Sequence, residues 1–297
     1  MKTYILKAMW GMEDIPLSER FERIAAAGYD GVEARMPAPE DEAEFKRLLK
    51  QYGMVYVAQI GRDGGTIDSF TRNVERAAGF EPMLINSHSF RHDANYEEQL
   101  DYFHKAIEVE KRIGIKVGHE THRGRAMYTP WSTERLLKDI PELHITADFS
   151  HWCVVCESLL EDQAHRLQLS CERAIHIHGR VGYAEGPQVA CPAAPEFQAA
   201  VEAHFQWWEQ IYNHKRQRGD SAFTVSIELG QTPYQQTLPY TLQPVSDTWS
   251  DSLWLANQFR ARLASLSNSR LSSCCLSGMM CQKHCLTYKS KGKEAGA

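Results

Sequence analysis

Short apolar runs alternate along the chain with longer stretches in which apolar residues recur every three or four positions. The runs read as strands at Tyr4 to Met9, Gly31 to Glu33, Met54 to Ile60, Met83 to Ser87, Ile115 to Glu120, His144 to Asp148, Ala174 to His178 and Phe223 to Glu228. Helical patterns lie between them, including Pro16 to Ala27, Glu40 to Tyr52, Tyr96 to Ile113, Ser132 to Ile140 and Ala194 to Arg218, and a further helix starts near Asp247. Glycines at 28 and 114 stand just beyond apolar helical stretches, where a left-handed cap costs a glycine little, and a strand follows each at once. Such alternation predicts parallel strands joined by helices. An open doubly wound sheet would share it, but eight repeats of roughly 30 residues favour closure into a (β/α)8 TIM barrel of the α/β class.

The pattern stops at Ser267, so the barrel domain is expected over 1–268 and a Cys/Ser/Lys-rich, disordered tail over 269–297. Cys274, Cys275, Cys281, His284 and Cys285 in that tail match no zinc ribbon or finger spacing, and unstructured thiols are the expectation. Cys153 and Cys156 have a C-x-x-C spacing, yet they follow a sixth strand rather than opening a thioredoxin-like unit and are read as structural thiols.

Composition narrows the function without selecting it. With 43% hydrophobic residues in a chain of 297, one large core is within reach, and a net charge of −5 gives no global attraction to phosphate backbones. Nucleic acid is therefore not the expected partner. No apolar run reaches the ~18 residues of a membrane span and no signal peptide opens the chain, which makes the cytoplasm the default compartment.

In a barrel strand alternate residues face the interior, and those at the C-terminal end line the active-site mouth. The last four strands end on metal-capable side chains: Glu120, Asp148, His178 and Glu228. Two positions back stand Gly118, Thr146, His176 and Ser226, all small or polar; one back stand His119, Ala147, Ile177 and Ile227. The candidates thus share interior parity, with His119 the exception on the outward face. Three carboxylates and an imidazole make a mostly hard ligand set suited to one divalent ion, Mn, Mg, Co or Zn. His176 shares parity with His178, but His178 lies nearer the mouth and is taken as the ligand. His151, His88, His122, Glu33 and Arg180 cluster at strand ends or in the following loops and are read as substrate contacts for a polyol, carboxylate or phosphate. Trp207, Trp208 and Tyr212, at helical spacing, are read as outer-layer packing.

The motifs His119-Glu120-Thr121-His122, Ala147-Asp148-Phe149-Ser150-His151, Ile175-His176-Ile177-His178 and Ser226-Ile227-Glu228 resemble the xylose-isomerase-like barrel superfamily over roughly residues 1 to 265. That superfamily holds sugar isomerases and epimerases, inosose dehydratases and apurinic endonucleases. The stretch from His178 through Val189 also looks like a subgroup described only as sugar phosphate isomerase/epimerase-like. The resemblance implies one metal held by Glu120, Asp148, His178 and Glu228, substrate contact by His151, and isomerisation or epimerisation of a sugar, sugar phosphate or polyol. Proton abstraction through a metal-stabilised enediolate, with Glu120 and Glu228 as catalytic carboxylates, is the implied mechanism. A homo-oligomer is compatible with it.

Three rival readings stand beside it. A dehydratase would begin with the same proton abstraction. An apurinic endonuclease of this superfamily uses three zinc ions and extra histidines: His88 matches one, but the third strand ends in Ala58-Gln59-Ile60 and Ala190-Cys191-Pro192-Ala193 replaces a D-x-H pair. A non-catalytic binding module is the third.

Overall fold

The strands pair in chain order around a closed barrel, with the last returning to the first. A computed structural model describes residues 1–61 and 65–285, with side chains as far as residue 266. The strands are β1 (Lys2–Ala8), β2 (Gly31–Arg35), β3 (Val55–Ile60), β4 (Leu84–Ser87), β5 (Val117–Glu120), β6 (Ile145–Ala147), β7 (Ala174–Gly179) and β8 (Ala222–Ile227). Every pairing is parallel. The helices are α1 (Leu17–Ala26), α2 (Glu42–Tyr52), α3 (Ile67–Ala78), α4 (Tyr96–Ile113), α5 (Pro130–Asp139), α6 (Ser150–Cys156), α7 (Ala164–Arg173), α8 (Gln198–Arg218) and α9 (Thr248–Cys285).

Local signals account for several of these boundaries. Asn95 caps α4 reciprocally with Glu98, and Gly114 closes that helix in the left-handed region at φ 78. Thr66 caps α3 by accepting from the Ser69 N–H, and Phe70, Val74 and Ala77 recur on its buried face. The sequence pattern names no bounds for α3, α6 or α7, although its eight strand-and-helix units imply helices between those strands.

Residues Met1–Leu255 form one compact unit, and Ala256–Ala297 a second. Of the stretch read as a tail, the helical backbone is described to Cys285; its side chains and residues 286–297 lie outside the described residues. Among the described residues no helix is long and apolar enough to cross a membrane.

Register fixes which side chains meet inside. Leu6, Val57 and Leu84 form an apolar cluster within the barrel. On the same parity but nearer the mouth, Asn86 pairs with Gly118, Glu120 with Thr146, Thr146 with His176 and His178 with Ser226. The outward positions Val32, Ile85, Val117, Ile145, Ile177, Val225 and Ile227 are buried beneath the helices. Trp207, Trp208 and Tyr212 belong to that outer layer, Tyr212 meeting Phe223 edge-on at 5.2 Å.

His119, the polar residue on the outward face, is resolved by its partners. Its Nε2 lies 3.0 Å from Glu110 Oε1 on α4 and its Nδ1 2.5 Å from Ser89 Oγ, while Phe70 stacks on the ring at 5.8 Å. A buried polar side chain is tolerated when its donors and acceptors are satisfied, as both of these ring nitrogens are. Cys153 and Cys156 are free thiols: burial pushes Cys156 up to about 11 and Cys153 further, so neither is a ready thiolate.

Candidate active site

The barrel gathers four strand-end groups at its C-terminal mouth. Glu120 ends β5, Asp148 and Glu228 follow β6 and β8 by one residue, and His178 lies in β7. One ligand atom from each lies within 4.8 Å of those of the others. All four are buried, from 0% exposed at Asp148 and His178 to 4% at Glu228.

His178 shows how the cluster is organised. Its Nε2–H donates to Glu33 Oε1 at 3.0 Å, which leaves the Nδ1 lone pair directed at the carboxylates. Nδ1 lies 2.8 Å from Glu228 Oε2 and 3.7 Å from both Glu120 Oε2 and Asp148 Oδ2, and it has no hydrogen-bond partner. Burial alone would depress this imidazole, but Glu228, Glu33 and Glu120 together hold it well above its ordinary range. The arrangement therefore demands positive charge at Nδ1, supplied by a proton or by a metal ion. A carboxylate behind a histidine ligand is a recurrent way to fix its tautomer and raise its basicity. His176 is engaged differently: Nε2 lies 3.0 Å from Glu33 Oε2, and Nδ1 lies 2.8 Å from Thr224 Oγ1.

The three carboxylates are held to different extents. Glu120 Oε2 accepts from Asn86 Nδ2 at 2.8 Å and lies 2.8 Å from His88 Nε2, while its buried Oε1 has no partner. Burial opposes ionisation of Glu120, yet His88 and His178 bring it well below the usual carboxylate range. Asp148 accepts from Ser150 Oγ on one oxygen and from Arg180 Nη2 on the other, and its own N–H donates to Thr121 Oγ1 at 2.8 Å. Glu228 Oε1 is lightly held by Gln59 Nε2 at 3.4 Å. An orphaned buried oxygen, an orphaned imidazole nitrogen and a hard donor set fit a divalent cation.

The residues read as substrate contacts divide into two groups. His88, His122 and His151 form a run of rings, with centroids 4.7 Å apart for the first pair and 4.0 Å for the second. Burial depresses His122 to about 4 and His151 well below its ordinary value, so both are neutral at physiological pH. Glu33 and Arg180 lie deeper than a rim contact: Glu33 is bonded to two imidazoles, and Arg180, 2% exposed, reaches inward to Asp148. Their positions near the mouth were legible, but the direction of their side chains was not.

Asn86, Gln59, Trp10 and Tyr234 were missed by sequence reasoning. Asn86 and Gln59 share the interior parity of their strands, a polar interruption that was the available signal. Trp10 and Tyr234 follow β1 and β8, meeting edge-on at 5.0 Å, and the Tyr234 ring centroid lies 4.9 Å from the Arg180 guanidinium. Gln188, from the loop after β7, clamps the loop after β8: Gly230 N–H donates to its Oε1 at 2.8 Å and its Nε2 donates to Gly230 O at 3.1 Å. A Cβ on Gly230 would fall 2.2 Å from the Trp10 ring, so the glycine lets that ring lie close against the loop. A cavity of about 390 Å³, lined in part by Trp10, Glu33, Arg35, Gln59 and Glu228, opens beside the cluster.

A family model described as xylose isomerase-like TIM barrel matches residues 21–184. The chain belongs to that family. No curated protein matches it by sequence. Among solved structures, this xylose isomerase-like barrel is similar to apo 3-keto-D-glucoside 4-epimerase from E. coli, at TM-score 0.58 and 17% identity over 86% of this chain and 100% of that one. It is similar to endonuclease IV from Thermus thermophilus, at TM-score 0.54 and 15% identity over 88% and 99% of the two chains. A xylose isomerase-like TIM barrel protein from Mycobacterium smegmatis in complex with magnesium matches at TM-score 0.58 and 10% identity, over 86% and 98%. At such identities the likeness shows the fold. The neighbours are named for different activities, an epimerase and an endonuclease among them, and a shared barrel does not choose between them.

Proposed function

We propose that this barrel is a divalent-metal-dependent isomerase or epimerase of a sugar, sugar phosphate or polyol, with the metal held by Glu120, Asp148, His178 and Glu228. The observation that carries this reading is the convergence of those four buried groups, each with a ligand atom within 4.8 Å of the others, beside a cavity of about 390 Å³. The epimerase and the magnesium complex among the structural neighbours support it by analogy of fold.

When bound, a divalent cation supplies Lewis-acid polarisation of a carbonyl and its neighbouring hydroxyl, acidifying the carbon-bound hydrogen beside them. The chain supplies the proton transfers. Glu120 Oε1 lacks a hydrogen-bond partner and Glu228 Oε1 has one long one, so each carboxylate keeps an oxygen able to act as a base. They approach from different strands, Glu120 at the end of β5 and Glu228 just after β8, so one would remove the proton and the other return it. His151, neutral, accepts from Arg180 Nη2 at 2.8 Å through Nε2; its Nδ1–H, buried without a partner, is left to donate to a substrate oxygen.

The test uses metal-loaded protein and a panel of ketoses, ketose phosphates, inososes and hydroxypyruvate in D₂O. Incorporation of deuterium at the carbon beside the carbonyl is expected, and Glu120→Gln should abolish it while still binding metal. A Glu120→Gln protein that binds metal and keeps full exchange overturns the assignment. Net loss of water from an inosose would instead identify a dehydratase, which shares the first step.

One observation favours a second reading. His88, Glu120 and His122 bring three ligand atoms within 4.8 Å of one another, a second potential cation position sharing Glu120. Multinuclear zinc chemistry on phosphodiesters would use it. Cleavage of an abasic-site duplex in the presence of zinc, with no hydrogen exchange on any sugar, would select that reading.

A further inference from the structure

Arg180 was expected to reach outward to a substrate, but its guanidinium is buried among the carboxylates of the site. It is 2% exposed. Nη2 is bonded to Asp148 Oδ2, lies 3.6 Å from Glu228 Oε2 and is 2.8 Å from His151 Nε2, while Nε donates to Ser150 Oγ at 3.1 Å. Asp148 Oδ2 is also the oxygen that faces His178 Nδ1 at 3.7 Å. One carboxylate oxygen therefore serves both the guanidinium and the face toward which the proposed ligands converge.

We propose that Arg180 is a resident counter-cation that competes with the divalent ion for Asp148 and Glu228, and so sets the affinity of the centre below what its four carboxylates, including Glu33, would give alone. The inference rests on the metal-binding reading above. Its physical basis is like-charge repulsion at close range in a poorly solvated site, added to direct competition for one oxygen. Without a metal ion, the same guanidinium offsets the mutual repulsion of Asp148 and Glu228 and keeps the site folded. Asp148 does not depend on Arg180 for its position, because the Ser150 hydroxyl donates to Oδ1 and the Asp148 N–H is bonded to Thr121 Oγ1 at 2.8 Å. A residue that merely oriented Asp148 would have the opposite effect on affinity, and this opposition of sign makes the proposal testable.

The experiment is calorimetric titration of Mn²⁺ into metal-stripped full-length wild type, Arg180→Gln and Arg180→Lys, with thermal melts of each protein before and after loading. Arg180→Gln is expected to bind Mn²⁺ at least ~10-fold more tightly than wild type, given the strength of unit charges a few ångströms apart in an environment of effective dielectric near 20. It should also melt lower when stripped and gain more from loading. Arg180→Lys keeps the charge and should bind within ~3-fold of wild type. Equal or weaker binding by Arg180→Gln overturns the proposal. Should that variant not fold, a change of ~10-fold or more in Arg180→Lys, in either direction, overturns it instead. The wild-type titration separates the two levels: no Mn²⁺ binding there removes the metal centre itself, whereas binding with no tightening in Arg180→Gln removes only this inference.

Discussion

Replacing Glu33 by Gln probes the support of the site without touching any of the four proposed ligands. Glu33 receives two imidazole N–H bonds, from His178 on Oε1 and from His176 on Oε2, each at 3.0 Å. A glutamine at this position offers one acceptor oxygen and turns its amide N–H groups toward the second imidazole. One histidine then loses its partner or reverses its tautomer, and if it is His178 the Nδ1 lone pair is no longer reserved for a metal. Burial disfavours the ionised Glu33, and the charges and hydrogen bonds of His178 and His176 overcome this, holding it far below the ordinary carboxylate range, so the interaction is a charged one. Losing a buried charge-assisted hydrogen bond costs about 1.5–3 kcal/mol, and removing the partner behind a ligating histidine typically weakens metal binding by ~10–100-fold. Both the lost orientation and the lost negative charge act in the same direction. Mn²⁺ titration of stripped Glu33→Gln should therefore show affinity lower by that factor, together with a lower melting temperature before loading. Wild-type affinity and an unchanged melting temperature in this variant would refute the view that Glu33 positions His178.

Two further predictions concern stability. His204 is fully buried, with Nδ1–H donating to Ala200 O at 2.8 Å and Nε2 accepting from Gly182 N–H at 3.2 Å, and burial depresses it to about 4 from 6.5. Between those two values the unfolded chain binds a proton that the folded chain does not, so stability falls as pH drops from about 6.5 toward 4, by about 3 kcal/mol for this group. Urea titrations across that range should show a shallower loss in His204→Gln; an identical slope would contradict the assignment. Gly230→Ala places a Cβ 2.2 Å from the rigid Trp10 ring, and overpacking of about 1–3 kcal/mol should lower the melting temperature by several degrees, where no change would show that the wall of the mouth yields freely.

The barrel was legible because short strand-like runs alternate with helical stretches, and eight such units favour closure. The helix α3 was not named, although Phe70, Val74 and Ala77 recur at helical spacing on its buried face and the signal was there to read. The seven residues of α6 make only about two turns, too few for periodicity to stand out. The four proposed ligands were readable because parity carries over directly from sequence to barrel interior. Asn86 was not, since its contact with Glu120 depends on the register in which β4 pairs with β5, which sets Asn86 opposite Gly118 and is not written in either strand alone. Arg180 could be placed near the mouth, but its inward course depends on how tightly the following loop packs. The backbone of Gly182 lies so close to Ser150 that a Cβ would fall 2.5 Å from Ser150 O, and no pattern of apolar residues encodes that approach. Glu33 illustrates the same limit: its parity was evident, while its two imidazole partners stand on β7, far along the chain.

The central claim is that Glu120, Asp148, His178 and Glu228 form one divalent-cation centre. Mn²⁺ binding followed by electron paramagnetic resonance on stripped protein, wild type beside Asp148→Ala, tests it most directly. The account predicts about one tightly bound ion per wild-type chain and none in Asp148→Ala. A wild-type chain with no tight ion, or an Asp148→Ala chain that binds Mn²⁺ as tightly as wild type, would contradict it.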